Sequence, residues 1–252
     1  MILEQFRLDG RVALVTGANR GLGQAIAVAL AEAGADIAAA SSTHSQETGD
    51  LVRALGRRFI DARTDLSTLD PIPGLVALVQ DALGPVDILV NNAGLIRRTD
   101  AVDFSEADWD AVMDVNLKAS FFLAQAIGRG MLERGHGKII NIASMLSFQG
   151  GIRVPSYTAS KAGIAGITRL LANEWASRGV NVNAIAPGYM RTDNTAALRA
   201  DEARNRSILE RIPANRWGEP SDLGGAAVFL ASRASDYVNG AILPVDGGWL
   251  AR

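Results

Sequence analysis

The chain has 252 residues, a formal net charge of −2 at pH 7 and no cysteine. It is long enough for a sizeable core, and its interspersed charges give no basic stripe for nucleic acid. The absence of cysteine excludes a disulfide framework and a thiolate metal site. No apolar run approaches the roughly 20 residues of a membrane span, and residues 1–10 contain no hydrophobic signal core, so we expect a cytoplasmic protein without a membrane or nucleic-acid partner.

Short apolar runs alternate with longer helical stretches along the chain. Strands are predicted at Val12–Thr16, Asp36–Ala40, Arg58–Ala62, Ile88–Val90, Lys138–Ala143, Asn181–Ile185 and Ala241–Val245. Helices are predicted at Leu22–Ala33, Glu47–Leu55, Gly74–Leu83, Glu106–Arg134, Ser156–Arg178, Thr195–Glu210 and Ser221–Ala231. The alternation predicts an α/β fold over residues 1–252: one domain, with a Rossmann-like, doubly wound parallel sheet of about seven strands and helices on both faces.

A glycine-rich turn joins the first predicted strand to the first predicted helix. Glycines in such a turn let the backbone approach a pyrophosphate, and the helix N-terminus that follows favours an anion. The turn therefore predicts a dinucleotide site formed by Gly17, Asn19, Arg20, Gly21, Leu22 and Gly23.

The end of the second strand bears on which nicotinamide coenzyme is bound. A carboxylate there would bind the ribose 2′-hydroxyl of NAD(H) and reject a 2′-phosphate, but Ser41 occupies this place. The guanidinium of Arg20 suits a phosphate. These residues favour NADP(H) or dual use.

Ser144, Tyr157 and Lys161 form a candidate catalytic group. Tyr157 and Lys161 are four residues apart, so they share one face of a helix, while Ser144 ends the preceding apolar strand. A nearby cation favours the ionised form of a phenol, whose free pKa is about 10. Tyr157 is predicted to be a general acid–base, Lys161 its activator and Ser144 an orienting hydrogen-bond donor.

Together these motifs resemble the short-chain dehydrogenase/reductase family over nearly the whole chain. The resemblance implies one NAD(H) or NADP(H) per subunit, no metal, and a catalytic role for Asn116 as a helix kink in a proton relay. It implies that Tyr157 and Lys161 also contact the coenzyme, Lys161 through the nicotinamide ribose. Further coenzyme contacts are expected from Asp65, Leu66, Asn92, Ala93, Gly94, Pro187, Gly188, Met190 and Thr192.

Within that family the chain is similar to bacterial enzymes that act on deoxy sugar acids during uronate and pectin breakdown. These relatives mostly use NAD, so NAD(H) and NADP(H) both stay open. A sugar-acid substrate carries a carboxylate, which Arg153 or Arg97 could bind, with Arg98 and arginines of the segment 189–213 as further candidates. Ser144 and Tyr157 would meet the reacting oxygen, Gln149 a sugar hydroxyl, and segment 189–213 would form a lid.

Two other functions fit parts of the pattern. A 3-oxoacyl-[acyl-carrier-protein] reductase would share Arg20 and the catalytic residues, but would need a basic surface for its acidic carrier. A redox-sensing binding protein would use the fold without catalysis, and such proteins usually lack the Tyr–Lys pair. The resemblance also predicts a homotetramer that pairs the helices predicted at Glu106–Arg134 and Ser156–Arg178, with the apolar run 247–250 as a second contact.

Overall fold

The structure is a computed structural model that describes all residues, 1–252. Seven parallel strands form one sheet in the order β3-β2-β1-β4-β5-β6-β7. The strands are β1 (Val12–Thr16), β2 (Asp36–Ser41), β3 (Phe59–Arg63), β4 (Ile88–Asn91), β5 (Gly137–Ile142), β6 (Val180–Pro187) and β7 (Ile242–Val245).

Nine α-helices connect and cover these strands. They are α1 (Gly21–Glu32), α2 (Gln46–Ala54), α3 (Ile72–Leu83), α4 (Glu106–Met113), α5 (Ala119–Arg134), α6 (Pro155–Trp175), α7 (Ala196–Ala200), α8 (Glu202–Arg211) and α9 (Gly224–Ala231). Helices α1, α2 and α9 pack in the core on one face of the sheet, and α3, α5 and α6 pack on the other. Because both faces are covered, strands such as β1 and β6 are buried along their whole length.

The predicted α/β fold is confirmed, with two differences inside predicted helices. The helix predicted at Glu106–Arg134 is interrupted by a π-helical turn at Asp114–Lys118, which separates α4 from α5. The helix predicted at Thr195–Glu210 is divided into α7 and α8 at Asp201, whose side chain accepts a hydrogen bond from the Arg204 amide and so caps α8. The break at Asp201 was not predicted, whereas the π-helical turn contains Asn116, where the family resemblance implied a kink.

The strand order reverses between β1 and β4, which opens a crevice at the carboxyl ends of these strands. The glycine-rich turn follows β1, and the segment from Asn92 to Gly94 follows β4. The fold therefore places the predicted coenzyme residues around one crevice. None of the helices combines the length and the apolar character that crossing a bilayer requires.

Candidate active site

The glycine-rich turn has no room for side chains at its key positions. A Cβ atom on Gly23 would lie 2.1 Å from the carbonyl oxygen of Gly17, and one on Gly17 would lie 3.0 Å from Nδ2 of Asn92. Gly17 and Gly21 also have φ angles of +65° and +58°, in the left-handed region that favours glycine. The turn is thus a cradle of bare backbone at the start of α1, which fits a pyrophosphate.

The side chain of Thr16 braces this turn against the end of β4. Its Oγ1 accepts hydrogen bonds from the amides of Asn92 and Ala93, each at 2.9 Å. Asn92 returns the contact, because its Nδ2 donates to the carbonyls of Thr16 and Gly17 at 2.9 and 3.1 Å. The Asn92 side chain therefore shapes the cradle. This positioning role adds to the coenzyme contact that the family resemblance implied for Asn92.

The loop after β2 is held by side chains from two directions. Ser41 is buried, and Nδ2 of Asn19 donates to Oγ1 of Thr43 at 2.9 Å, which joins the loop to the glycine turn. Asp61 on β3 contacts Nδ1 of His44 at 2.8 Å. The sequence has Ser41 and no carboxylate at the end of β2, and the structure shows that Asp61 on β3 supplies a carboxylate to the loop that follows.

Arg20 points toward the segment that follows β6. Its Nη1 lies 2.9 Å from Oδ2 of Asp193, and both side chains are exposed. Thr192 also borders the glycine turn, because a Cβ atom on Gly21 would lie 3.8 Å from its Cγ2. The start of the predicted lid therefore lies beside the coenzyme cradle.

The remaining predicted coenzyme residues follow strand ends but differ in accessibility. Asp65 is exposed, and a hydrogen bond from the Ser67 amide lowers the pKa of its carboxyl. Leu66 and Met190 are buried, and each packs against one of the two main hydrophobic clusters. Three more lie at the carboxyl edge of the sheet near these positions: Gly94, Pro187 and Gly188.

The structure brings Ser144, Tyr157 and Lys161 together beyond the end of β5. Ser144 lies two residues after the strand, with its Oγ accepting from the Leu146 amide at 3.2 Å. The side chain of Ser144 lies near the Tyr157 hydroxyl and favours its ionised form, and Nζ of Lys161 lies 5.6 Å from the centre of the Tyr157 ring. Lys161 is 5% exposed, and its Nζ donates to the carbonyl of Ile142 at 2.6 Å.

Burial controls the proton affinities of these groups. It raises the pKa of Tyr157, and the hydrogen bond from Ser144 and the charge of Arg98 oppose this only in part. Burial also lowers the pKa of Lys161 to about 8. The sequence indicated that a neighbouring cation would favour the ionised form of Tyr157, and in this structure desolvation of the phenolate outweighs the charges that act in that direction.

Asn116 lies in the π-helical turn between α4 and α5, where the family resemblance implied a kink. Its Oδ1 accepts from the Leu95 amide at 2.9 Å, and its Nδ2 donates to the Leu95 carbonyl at 3.0 Å and to Oγ of Ser160 at 3.3 Å. Oγ of Ser160 donates in turn to the Tyr157 carbonyl at 2.9 Å. Asn116 thus joins the segment after β4 to the helix that carries Tyr157 and Lys161.

The candidate arginines differ in their partners. Arg153 lies 3.0 Å from Asp100, and Arg97 lies 3.2 Å from Asp108, so each is paired with a carboxylate. Arg98 makes no ion pair; it donates to the Asn194 carbonyl at 3.1 Å, and its charge acts on Tyr157. The two arginines favoured from the sequence are thus engaged elsewhere.

Gln149 also has partners within the chain. Its Oε1 accepts from Nε1 of Trp249 and from Nη2 of Arg211, each at 3.4 Å. Trp249 is 5% exposed, so the expected role of the run 247–250 as a contact between subunits does not extend to this ring.

Sequence reasoning also missed Ser147 and Ser160. Oγ of Ser147 donates to the Lys161 carbonyl at 2.6 Å and accepts from the Ser144 amide at 3.3 Å. Small hydroxyl residues are common near helix starts, so neither serine stands out in the sequence. The only available signal was the position of Ser160 within the Tyr157–Lys161 turn.

Comparisons with known proteins agree with this geometry. A family model described as Enoyl-(Acyl carrier protein) reductase matches residues 17–250. The 2-dehydro-3-deoxy-D-gluconate 5-dehydrogenases of Escherichia coli (strain K12) and Dickeya dadantii (strain 3937) are 61% and 62% identical, with 100% of each chain covered. The crystal structure of a gluconate 5-dehydrogenase from Burkholderia cenocepacia J2315, in complex with NADP and tartrate, is 41% identical, with a TM-score of 0.95 and 100% of each chain covered.

These matches confirm the resemblance that the sequence motifs predicted and the nicotinamide coenzyme expected from them. The chain is an NAD(P)-dependent oxidoreductase and belongs to the short-chain dehydrogenase/reductase family.

Proposed function

We propose that the protein catalyses reversible oxidation of a secondary alcohol in a deoxy sugar acid, with 2-dehydro-3-deoxy-D-gluconate, oxidised at C5, as the substrate. Relatives that share about three residues in five with this chain over its whole length carry that activity in their names. The observation in the chain itself is the juxtaposition of Ser144, Tyr157 and Lys161 with Arg98, a cation whose partner is a main-chain carbonyl and not a carboxylate.

The glycine cradle fits the pyrophosphate of a nicotinamide coenzyme, since Gly17 and Gly21 adopt left-handed φ angles and present bare backbone at the start of α1, while the close contact of Gly23 with the Gly17 carbonyl leaves no room for a side chain. Residues of the cradle and the strand ends would hold the coenzyme, together with Asn19, Arg20, Asp65 and the backbone from Asn92 to Gly94. When bound, the coenzyme supplies or accepts the hydride.

The side chains manage the proton that accompanies the hydride. Tyr157 gives its hydroxyl proton to the substrate oxygen during reduction and takes it back during oxidation. Ser144 donates a hydrogen bond to the same oxygen. Lys161, held by the Ile142 carbonyl, supplies a positive charge near the phenol, which stabilises the phenolate as it forms.

Arg98 is the group we assign to the substrate carboxylate. Arg153 and Arg97 each pair with a carboxylate, whereas Arg98 donates a hydrogen bond to the main-chain carbonyl of Asn194. A guanidinium binds a carboxylate through two parallel hydrogen bonds, which fixes orientation as well as affinity. This assignment replaces Arg153 and Arg97, which the sequence favoured.

The segment 189–213 is the substrate lid in this proposal. It begins beside Gly21 and contains the two helices α7 and α8.

The proposal also includes a cytoplasmic homotetramer. Exposed apolar side chains on three neighbouring helices support assembly: Trp109, Phe122 and Leu170. Light scattering at micromolar concentration tests the tetramer, and a monomeric mass would contradict it.

A spectrophotometric panel tests the proposed reaction. It follows the absorbance of the reduced coenzyme with 2-dehydro-3-deoxy-D-gluconate, 2-deoxy-D-gluconate and gluconate, using NAD and NADP separately. We expect the highest kcat/KM with the first compound. A higher value with an acetoacetyl thioester and reduced coenzyme would instead favour the acyl-carrier-protein reductase alternative.

A further inference from the structure

The segment 249–252 contacts both sides of the proposed substrate site. Trp249 packs edge-on against Tyr189, with ring centres 4.7 Å apart, and the guanidinium of Arg211 lies over its ring at 4.0 Å. Arg211 ends α8, the longer helix of the lid. The Trp249 ring is thus fixed between the start of the lid and the end of its main helix.

The same ring reaches the loop that joins Ser144 to Tyr157. Its Nε1 donates to Oε1 of Gln149, which also accepts from Arg211. Gln149 therefore links the loop that carries the catalytic serine to the lid helix through one shared acceptor.

Arg252 completes the contact from the end of α8. Its guanidinium donates to the main-chain carbonyls of Glu210 and Arg211. The last carbonyls of a helix lack partners within that helix, and a cation there also interacts favourably with the helix dipole. Arg252 thus acts as a C-terminal cap of the lid helix, supplied from a distant part of the chain.

We infer that the segment 249–252 is a positioning element, which holds α8 over the substrate through the Arg211–Trp249–Gln149 contact and the Arg252 cap. The catalytic importance of this positioning rests on the proposed function, whereas the contacts are features of the fold whatever the substrate is. Trp249 packs in a buried cluster with Met145, Ile208, Ile212 and Trp217, and Arg252 contacts the end of α8, so we expect both residues to act on the lid and the loop after Ser144 and to leave the glycine cradle unchanged.

Two single-residue variants test this inference. Trp249→Phe keeps a ring for Tyr189 and Arg211 but removes the bond to Gln149, and Arg252→Ala removes an exposed cap without opening the core. The matched control is Arg178→Ala, because the side chain of Arg178 is exposed and makes no hydrogen bond or ion pair. The readouts are hydrogen exchange of peptides covering 202–211, coenzyme Kd by fluorescence titration, and KM for the sugar acid.

We expect faster exchange in 202–211 for both variants, an unchanged coenzyme Kd, and a KM raised about two- to tenfold, the range for one lost hydrogen bond. If exchange in 202–211 equals that of wild type and Arg178→Ala, the inferred contact between the segment 249–252 and α8 is overturned. If exchange is faster but KM is unchanged, the positioning role of the segment 249–252 is overturned. If wild type proves inactive on sugar acids, the proposed function fails, while the exchange measurement still tests whether the segment holds α8.

Discussion

Nζ of Lys161 donates a 2.6 Å hydrogen bond to the main-chain carbonyl of Ile142, the last residue of strand β5. This bond fixes a buried cation from α6 against the strand that leads to Ser144. The lysine is therefore positioned by the fold itself, through the end of a central strand. A cation held in this way carries a cost, because its charged form has lost most of its water.

We expect this cost to appear as a pH dependence of stability that Lys161→Met removes. Burial lowers the pKa of Lys161 from 10.5 to about 8. Between these values the unfolded chain binds more protons at this position than the folded chain, so the free energy of unfolding rises with pH. The rise from this group is on the order of 3 kcal/mol across the window.

Urea unfolding of wild type and Lys161→Met at the two ends of this pH window measures how the free energy of unfolding of each protein changes with pH. The stability of wild type relative to the variant should increase with pH. An equal pH dependence in the two proteins would show that Lys161 titrates as an exposed lysine does.

Arg98→Ala should raise the KM for a sugar acid about ten- to a hundredfold, as expected for the loss of one charge-assisted contact. Arg153→Ala is the matched control, because Asp100 already pairs with that arginine. The KM for a neutral polyol should be the same in wild type and Arg98→Ala. A larger effect of Arg153→Ala than of Arg98→Ala on the sugar acid would return the assignment to Arg153.

Arg20→Ala should weaken NADPH more than NADH, by about three- to tenfold, since a solvent-exposed pair is weaker than a buried one. Asp193→Asn should tighten NADPH, because it releases Arg20 from its present partner. Fluorescence titration of both coenzymes measures these constants. Equal changes in the two constants for Arg20→Ala would show that Arg20 does not meet a 2′-phosphate.

The sequence predicted the sheet, the glycine cradle and the catalytic residues because each has a local signature. Alternating strands and helices, glycines before a helix, and a Tyr–Lys pair four residues apart can all be recognised without tertiary contacts. The positions of side chains within the crevice could not be predicted, because they depend on partners distant in the chain. Asp100 pairs with Arg153, Trp249 pairs with Gln149, and Asp193 pairs with Arg20.

The pKa of Tyr157 shows a second limit of sequence reasoning. A lysine four residues away predicted a stabilised phenolate, but the sign of the shift depends on how much water the fold leaves around the ring. In this structure burial of the phenol outweighs the charges that favour its ionised form. Only the packed structure gives the balance between desolvation and nearby charge.

The turnover of Tyr157→Phe with 2-dehydro-3-deoxy-D-gluconate tests the central claim most directly. Phe keeps the ring and its packing but has no proton to transfer, so we predict a loss of turnover of at least about a hundredfold with unchanged coenzyme Kd. If the variant keeps more than about a tenth of wild-type turnover, the barrier has changed by less than about 1.4 kcal/mol. That result would contradict the assignment of Tyr157 as the acid–base and the mechanism built on it.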